Sequence, residues 1–237
     1  MQLPIEWLPA QGAPEQLMLL LHGVGSSGAA MAPLAQALRA EFPQAALLAP
    51  DAPHAFDDPA AAPGARQWFS VQGIDEASRV ERVQAALPGL LDWIRQTQQR
   101  LGVGTAATAI AGFSQGGILA LETALAADGL AGRVLAFGAR FAQPPQQAPR
   151  ATTLHLFHGS ADPVIPAQHA RDALEALAAL NGDATMDIAE GVGHVLHPVL
   201  AQRAIFRLRN HIPARTWAAA MGAVPGLPVS DSDHDHD

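Results

Sequence analysis

Gly112-Phe113-Ser114-Gln115-Gly116-Gly117 is the stretch whose reading decides the fold. Ahead of it, Ala106 to Ala111 is small, apolar and compatible with a buried strand. Behind it, Ile118 to Leu125 reads as helix, stopping near Asp128-Gly129. A serine between strand and helix, with glycine two residues to either side, has the G-x-S-x-G pattern of a nucleophile elbow. Glycine suits a turn so tight that a side chain at the flanking positions would meet backbone. The pattern alone is weak in a chain this rich in glycine and serine. It gains meaning if an acid and then a histidine follow, each just after a strand.

Both follow. The strand Thr153 to Phe157 leads into His158-Gly159-Ser160-Ala161-Asp162-Pro163, and the strand Thr185 to Ala189 leads into Gly191-Val192-Gly193-His194. The order Ser114, Asp162, His194 is serine, acid, histidine, and in a parallel sheet the carboxyl ends of strands share one edge. The chemistry needs these types. A hydroxyl is a poor nucleophile without a base in hydrogen-bond reach, imidazole titrates near neutrality, and a carboxylate fixes the imidazole tautomer. His197 is the rival base. His194 is preferred because Gly193 frees the backbone to aim it. Asp162 could instead only brace an Asp-Pro turn. The oxyanion of an acyl intermediate needs two preset donors: the backbone N–H of Gln115, and a second from the loop after Leu17–Leu21, placed at Val24.

Outward from the site, apolar runs and helical repeats alternate. Ile5 to Leu8 reads as a lead-in strand, and Leu17 to Leu21 and Ala45 to Ala49 as fully buried strands. Helices are expected over Met31–Glu41, over Asp75–Arg100 (kinked or divided at Pro88), over Pro166–Leu180 with Gly182 as cap, and over Pro198–Arg209. Val134 to Phe137 is a further strand, and Thr185 to Ala189 alternates as an edge strand does. Residues 50–73 read as a long loop covering the site. The fold class is therefore α/β, with a mostly parallel central sheet and helices on both faces. No segment between Val134 and Asp162 is long enough for a large lid domain. With no internal repeat or dividing linker, residues 1–229 are expected to form a single α/β-hydrolase domain. Ser230 to Asp237 is expected to be a disordered tail.

The 237 residues contain no cysteine, which excludes disulfides and cysteine chemistry. Net charge is −8, half of it from the four aspartates of the tail. That argues against nucleic acid or an anionic membrane as partner. The N-terminus lacks a secretory pattern and no apolar run spans a bilayer, so a cytoplasmic protein is expected. The tail Asp231-Ser232-Asp233-His234-Asp235-His236-Asp237 has metal-ligating residue types but reads as a solvated terminus.

Two readings from other classes compete. Gly23-Val24-Gly25-Ser26-Ser27-Gly28 is a formal G-x-G-x-x-G after a strand, with Asp51 near the place of a ribose-binding acid, as in a dinucleotide-binding oxidoreductase. It leaves Ser114, Asp162 and His194 unexplained. A catalytically silent hydrolase fold acting as a binding module is the other, and the presence of all three residue types gives it no support.

Taken together, His22-Gly23-Val24-Gly25, Arg66-Gln67-Trp68-Phe69-Ser70, Gly112–Gly117, Asp162-Pro163-Val164-Ile165-Pro166 and Gly193-His194 resemble the phospholipase/carboxylesterase family. That family includes acyl-protein thioesterases, and the likeness is greatest to its small bacterial carboxylesterases. It runs from about Leu17 to Leu208. The resemblance implies an α/β-hydrolase fold, no cofactor or metal, and hydrolysis of esters or thioesters. It implies Ser114, Asp162 and His194 as triad, and Val24 and Gln115 as oxyanion donors. Relatives often carry Trp-Phe-Asp where this chain has Trp68-Phe69-Ser70. Trp68 and Phe69 are expected either to line an acyl pocket or to be core aromatics. The expected partner is a small-molecule ester of short to medium acyl chain. Thioesterase or lysophospholipase-type activity is the alternative, and a homodimer is the assembly considered.

Overall fold

Five of the six residues of β2 (Gln16–Leu21) are buried, which explains an apolar run that does not alternate. Leu17, Leu19 and Leu21 enter one core layer, Met18 and Leu20 the other, so the strand is covered on both faces. The structure, a computed structural model, describes residues 4–222; the acidic tail lies outside them.

The remaining elements follow from the same pattern. The strands are β1 (Ile5–Trp7), β3 (Ala45–Ala49), β4 (His54–Ala55), β5 (Arg66–Gln67), β6 (Thr108–Phe113), β7 (Arg133–Phe137), β8 (Thr153–Gly159) and β9 (Ala184–Ala189). The helices are α1 (Ala32–Glu41), α2 (Glu76–Leu101), α3 (Gln115–Ala126), α4 (Gln168–Ala179), α5 (Pro198–Asn210) and α6 (Ala214–Ala220). Seven strands form the main sheet in the order β1-β3-β2-β6-β7-β8-β9. Every pairing is parallel except β1 with β3. Helices α2, α3 and α4 cover one face through residues such as Val83, Leu87, Leu119 and Leu177. On the other face α1 and α5 pack Leu34, Leu38, Leu200 and Ala204. The parallel register pairs Leu21 with Gly112, Phe113 with Phe137, and Gly159 with Ala189, so the carboxyl ends of these strands fall on one edge. Among the described residues no helix is long and apolar enough to cross a membrane. The connection from β7 to β8, residues 138–152, holds no helix or strand.

Three local expectations are corrected. Pro88 does not divide α2, which is continuous from Glu76 to Leu101. Pro88 and Gln84, whose carbonyl the proline leaves without its helical donor, both face solvent, where water can take that place. Val83, Leu87, Leu90 and Ile94 meanwhile hold both halves against the core. The helix starts at Asp75, whose carboxylate accepts from the Ser78 N–H while the Ser78 hydroxyl accepts from the Asp75 N–H. At the end of α4 the left-handed residue is Asn181, φ 54°, rather than Gly182. The Gly182 N–H closes the turn on the Leu177 carbonyl at 2.7 Å. The loop over 50–73 contains the β4–β5 hairpin, and α6 extends the fold past Pro213.

The fold also buries a histidine far from the strand ends. His155, in β8, is fully buried, with Nδ1 2.7 Å from the Thr185 hydroxyl. Burial, reinforced by the charge of Arg133, pushes its pKa down to about 3. In the unfolded chain it would titrate near 6.5. Between those values the unfolded state binds a proton that the folded state refuses. Stability from this group is therefore complete above about pH 6.5 and declines by about 1.4 kcal/mol per pH unit below it. Urea unfolding at pH 7.0 and 5.5 should show a smaller acid loss in His155→Gln than in the parent chain. Equal losses would show that the imidazole is not the proton-linked group.

Candidate active site

The turn from β6 into α3 is built from glycines because backbone occupies the space side chains would need. A β-carbon at Gly112 would overlap the Gly116 carbonyl, and one at Gly116 the Leu21 carbonyl. At Gly117 it would lie 2.6 Å from the Ala139 Cβ. Ser114 itself sits at φ 52°, ψ −117°, a strained conformation for a residue with a side chain, costing about 1–3 kcal/mol. It is held by its N–H on the Phe137 carbonyl (2.9 Å) and by its own carbonyl, which accepts from Ile118 (2.9 Å) and starts α3. The chain thus keeps an unfavourable backbone conformation that raises the hydroxyl at the sheet's carboxyl edge.

Three residues distant in sequence meet there. His194 Nε2 is 2.9 Å from Ser114 Oγ, and His194 Nδ1 is 2.7 Å from Asp162 Oδ2. Asp162 Oδ1 accepts from the N–H groups of Val164 and Ile165, both at 2.9 Å, which fixes the carboxylate plane. Burial alone would raise the Asp162 pKa. The hydrogen bond from His194 and those two backbone donors outweigh it and hold the group below the usual carboxylate range, so it is ionised at neutral pH. The Phe113 ring tilts against His194 with centroids 4.9 Å apart. Gly138, φ 52°, passes so close that a β-carbon there would sit 3.4 Å from His194 Nδ1.

The rival histidine has a different position. His197 is the N-cap of α5, where its Nδ1 accepts from the Val199 N–H at 3.2 Å. A third histidine, His158, stands close to the acid. It lies in β8, and its Nε2–H donates to the Ile165 carbonyl at 2.7 Å and lies 3.3 Å from Asp162 Oδ2. Burial lowers its pKa, which keeps the ring neutral. Asp162 thus has a second imidazole beside the oxygen that accepts the hydrogen bond from His194 Nδ1. The i, i+4 spacing of His158 and Asp162 was visible in the sequence, but only the end of β8 turns it into proximity.

Gln115 is the first residue of α3, so its N–H has no acceptor within the helix. Among the described residues neither that N–H nor the Val24 N–H donates to a protein acceptor. Val24 and Ser114 both line a cavity of about 280 Å³, whose walls include Met31, Phe113, Val164 and Leu196 and which also exposes His194. Trp68 and Phe69 do not line it. They are 2 % and 5 % exposed and belong to the core, and Trp68 also lines a separate cavity beside Leu90 and Trp93. An aromatic pair beside a glycine-rich loop satisfies burial equally well inside the core. The formal dinucleotide motif also has a structural account. A β-carbon at Gly28 would overlap the Ala49 carbonyl, and Asp51 Oδ1 accepts from the Gly28 N–H at 2.8 Å. Both the glycine and the acid therefore fold the loop.

The parallel sheet with a serine at a strand-to-helix turn, linked to a histidine and an acid from later strand ends, has the architecture of an α/β hydrolase. The chain belongs to the phospholipase/carboxylesterase family, whose profile matches residues 8–212. It is 44% identical over 213 residues, 90% of each chain, to esterase YpfH of Escherichia coli (strain K12). It is 24% identical to acyl-protein thioesterase 1 of Gibberella zeae, over 87% of this chain and 95% of that one. Among solved structures, esterase PE8 superposes with a TM-score of 0.80 at 30% identity, over 88% of this chain and 98% of that one.

Proposed function

We propose that this enzyme hydrolyses small carboxylic esters of short to medium acyl chain through a Ser-His-Asp triad and an acyl-enzyme. The observation that carries the reading is the unbroken hydrogen-bonded chain from Ser114 Oγ through His194 to Asp162 Oδ2. In this mechanism Ser114 Oγ attacks the ester carbonyl as His194 Nε2 takes its proton. The oxyanion is held by the N–H groups of Val24 and Gln115. His194 then protonates the departing alkoxide, leaving the acyl group on Ser114. Water, deprotonated by the same imidazole, adds to the acyl carbonyl, and as the acyl–Oγ bond breaks His194 returns that proton to Ser114 Oγ and the acid leaves. Asp162 orients the ring and stabilises its cationic form.

The space available supports the chain-length reading. A cavity of about 280 Å³ is at the small end for ligand sites, ~300–1,000 Å³. The β7–β8 connection carries no helix that would form an apolar lid for lipid aggregates. The likeness to an esterase at 44% identity favours oxygen esters, while the thioesterase similarity keeps thioesters as the second substrate type to assay. A series of p-nitrophenyl esters should peak at short to medium chains, with p-nitrophenyl butyrate turned over faster than emulsified long-chain triglyceride. The reverse preference would refute the chain-length assignment.

A further inference from the structure

The segment Arg66 to Phe69 is tied on two sides, and each tie leads to one half of the proposed oxyanion hole. Toward the loop after β2, the Gly25 N–H donates to the Arg66 carbonyl at 2.9 Å and the Arg66 N–H to the Ser26 carbonyl at 2.8 Å. On the same side, the Trp68 indole N–H donates to the His22 carbonyl at 2.9 Å. These bonds bracket Val24. Toward the serine turn, the partner is the side chain of Gln115. Its Oε1 accepts from the Trp68 N–H at 2.7 Å, and its Nε2 donates to the Phe69 carbonyl at 2.8 Å. Gln115 is 3 % exposed, so its amide is bound at both ends in a dry environment, where the orientation is fixed by the one donor and one acceptor it faces.

His22 stiffens the same loop. Its Nε2 accepts from the Ala52 N–H at 2.9 Å, which puts the proton on Nδ1, 2.7 Å from the Gly23 carbonyl. Burial lowers its pKa and keeps that neutral tautomer. The loop carrying Val24 is thus braced to Ala52 on one side and to Arg66–Trp68 on the other. No comparable set of bonds joins the loop to α3 directly among the described residues; the connection runs through residues 66–69.

We propose that Arg66–Phe69 is a spacer that sets the separation of the Val24 and Gln115 N–H groups. The Gln115 side chain and the Trp68 indole N–H are then positioning groups for ester hydrolysis. The proposal rests on the serine-hydrolase reading above. Gln115 would act twice, its main chain on the oxyanion and its side chain on the frame that holds the opposite donor. Preset donors stabilise the tetrahedral oxyanion more than the planar ester, so a frame that loosens should reduce kcat and leave ester binding nearly unchanged.

Gln115→Met keeps length and approximate volume but forms neither bond, and Trp68→Phe keeps an aromatic ring but loses the indole N–H. Per active site titrated with a fluorophosphonate, each should lower kcat for p-nitrophenyl butyrate about 10- to 100-fold, with KM within about threefold. The Ki of an alkyl trifluoromethyl ketone, whose adduct with Ser114 carries the oxyanion, should rise by the same factor as kcat/KM falls. A loss carried by KM, an unchanged Ki, or a fall in melting temperature with normal kcat per titrated site would overturn the spacer. Should Gln115→Met fail to fold, Trp68→Phe decides the matter by the same split. Ser114→Ala separates the two claims. If it keeps turnover, the hydrolase reading itself fails. If it is inactive while both frame variants behave as the parent, only the spacer fails.

Discussion

Ser114→Ala should lower kcat for p-nitrophenyl esters by on the order of 10⁶ and abolish fluorophosphonate labelling. The substitution removes one atom, the hydroxyl 2.9 Å from His194 Nε2. His194 could then act only on water, and the activity left would come from binding and from the Val24 and Gln115 donors. The fold should persist. Alanine keeps the β-carbon and so keeps the strain of φ 52°, and the turn's backbone bonds to Phe137 and Ile118 do not involve the side chain. Circular dichroism and the melting temperature of Ser114→Ala should accordingly match the parent closely. Ser114→Gly should be equally inactive yet more stable, because glycine adopts positive φ without strain. Retained turnover in Ser114→Ala, or a fluorophosphonate adduct mapped to another residue, would show that a different nucleophile operates.

The parts of the molecule legible in the sequence are those whose physics is local or periodic. A strand buried on both faces must be apolar at every position, and Leu17 to Leu21 is so. A turn in which residue 112 meets the backbone of residue 116 must carry glycine, and it does. Serine, acid and histidine each follow a strand because a parallel sheet gathers such positions at one edge. What escaped the sequence depends on pairings between distant residues that no period announces. Gln115 and Trp68 are 47 positions apart, and the sequence gives a buried glutamine no sign of which backbone it will serve. Trp68 and Phe69 carry the same burial signal whether they line a cavity or lie inside the core. Pro88 announces a break that the solvent-facing side of α2 allows the helix to avoid. Asn181 takes the left-handed position beside a glycine that looked the better candidate.

The choice between His194 and His197 gives the second large effect, because the two histidines are three residues apart and have separate roles. His194→Ala should lower kcat by on the order of 10⁶, comparable to loss of the serine, since nucleophile and base work as one unit. His197→Ala should leave kcat within about threefold of the parent. Its imidazole caps α5 through the Val199 N–H, so the cost falls on stability, about 0.5–2 kcal/mol for a lost N-cap. Asp162→Ala should lie between, about 10⁴ in kcat, because the imidazole remains but loses the carboxylate that fixes its tautomer. The three measurements form a pattern that a structural role for His194 cannot reproduce. A residue needed only for folding would lower the melting temperature along with activity. Here the greatest loss of activity should come with a folded protein, and the clearest loss of stability among the histidine variants with an active one. If His197→Ala were the inactive variant and His194→Ala the unstable one, the base would be the N-cap residue. The turn of Gly191–Gly193 would then have to move to bring it to Ser114.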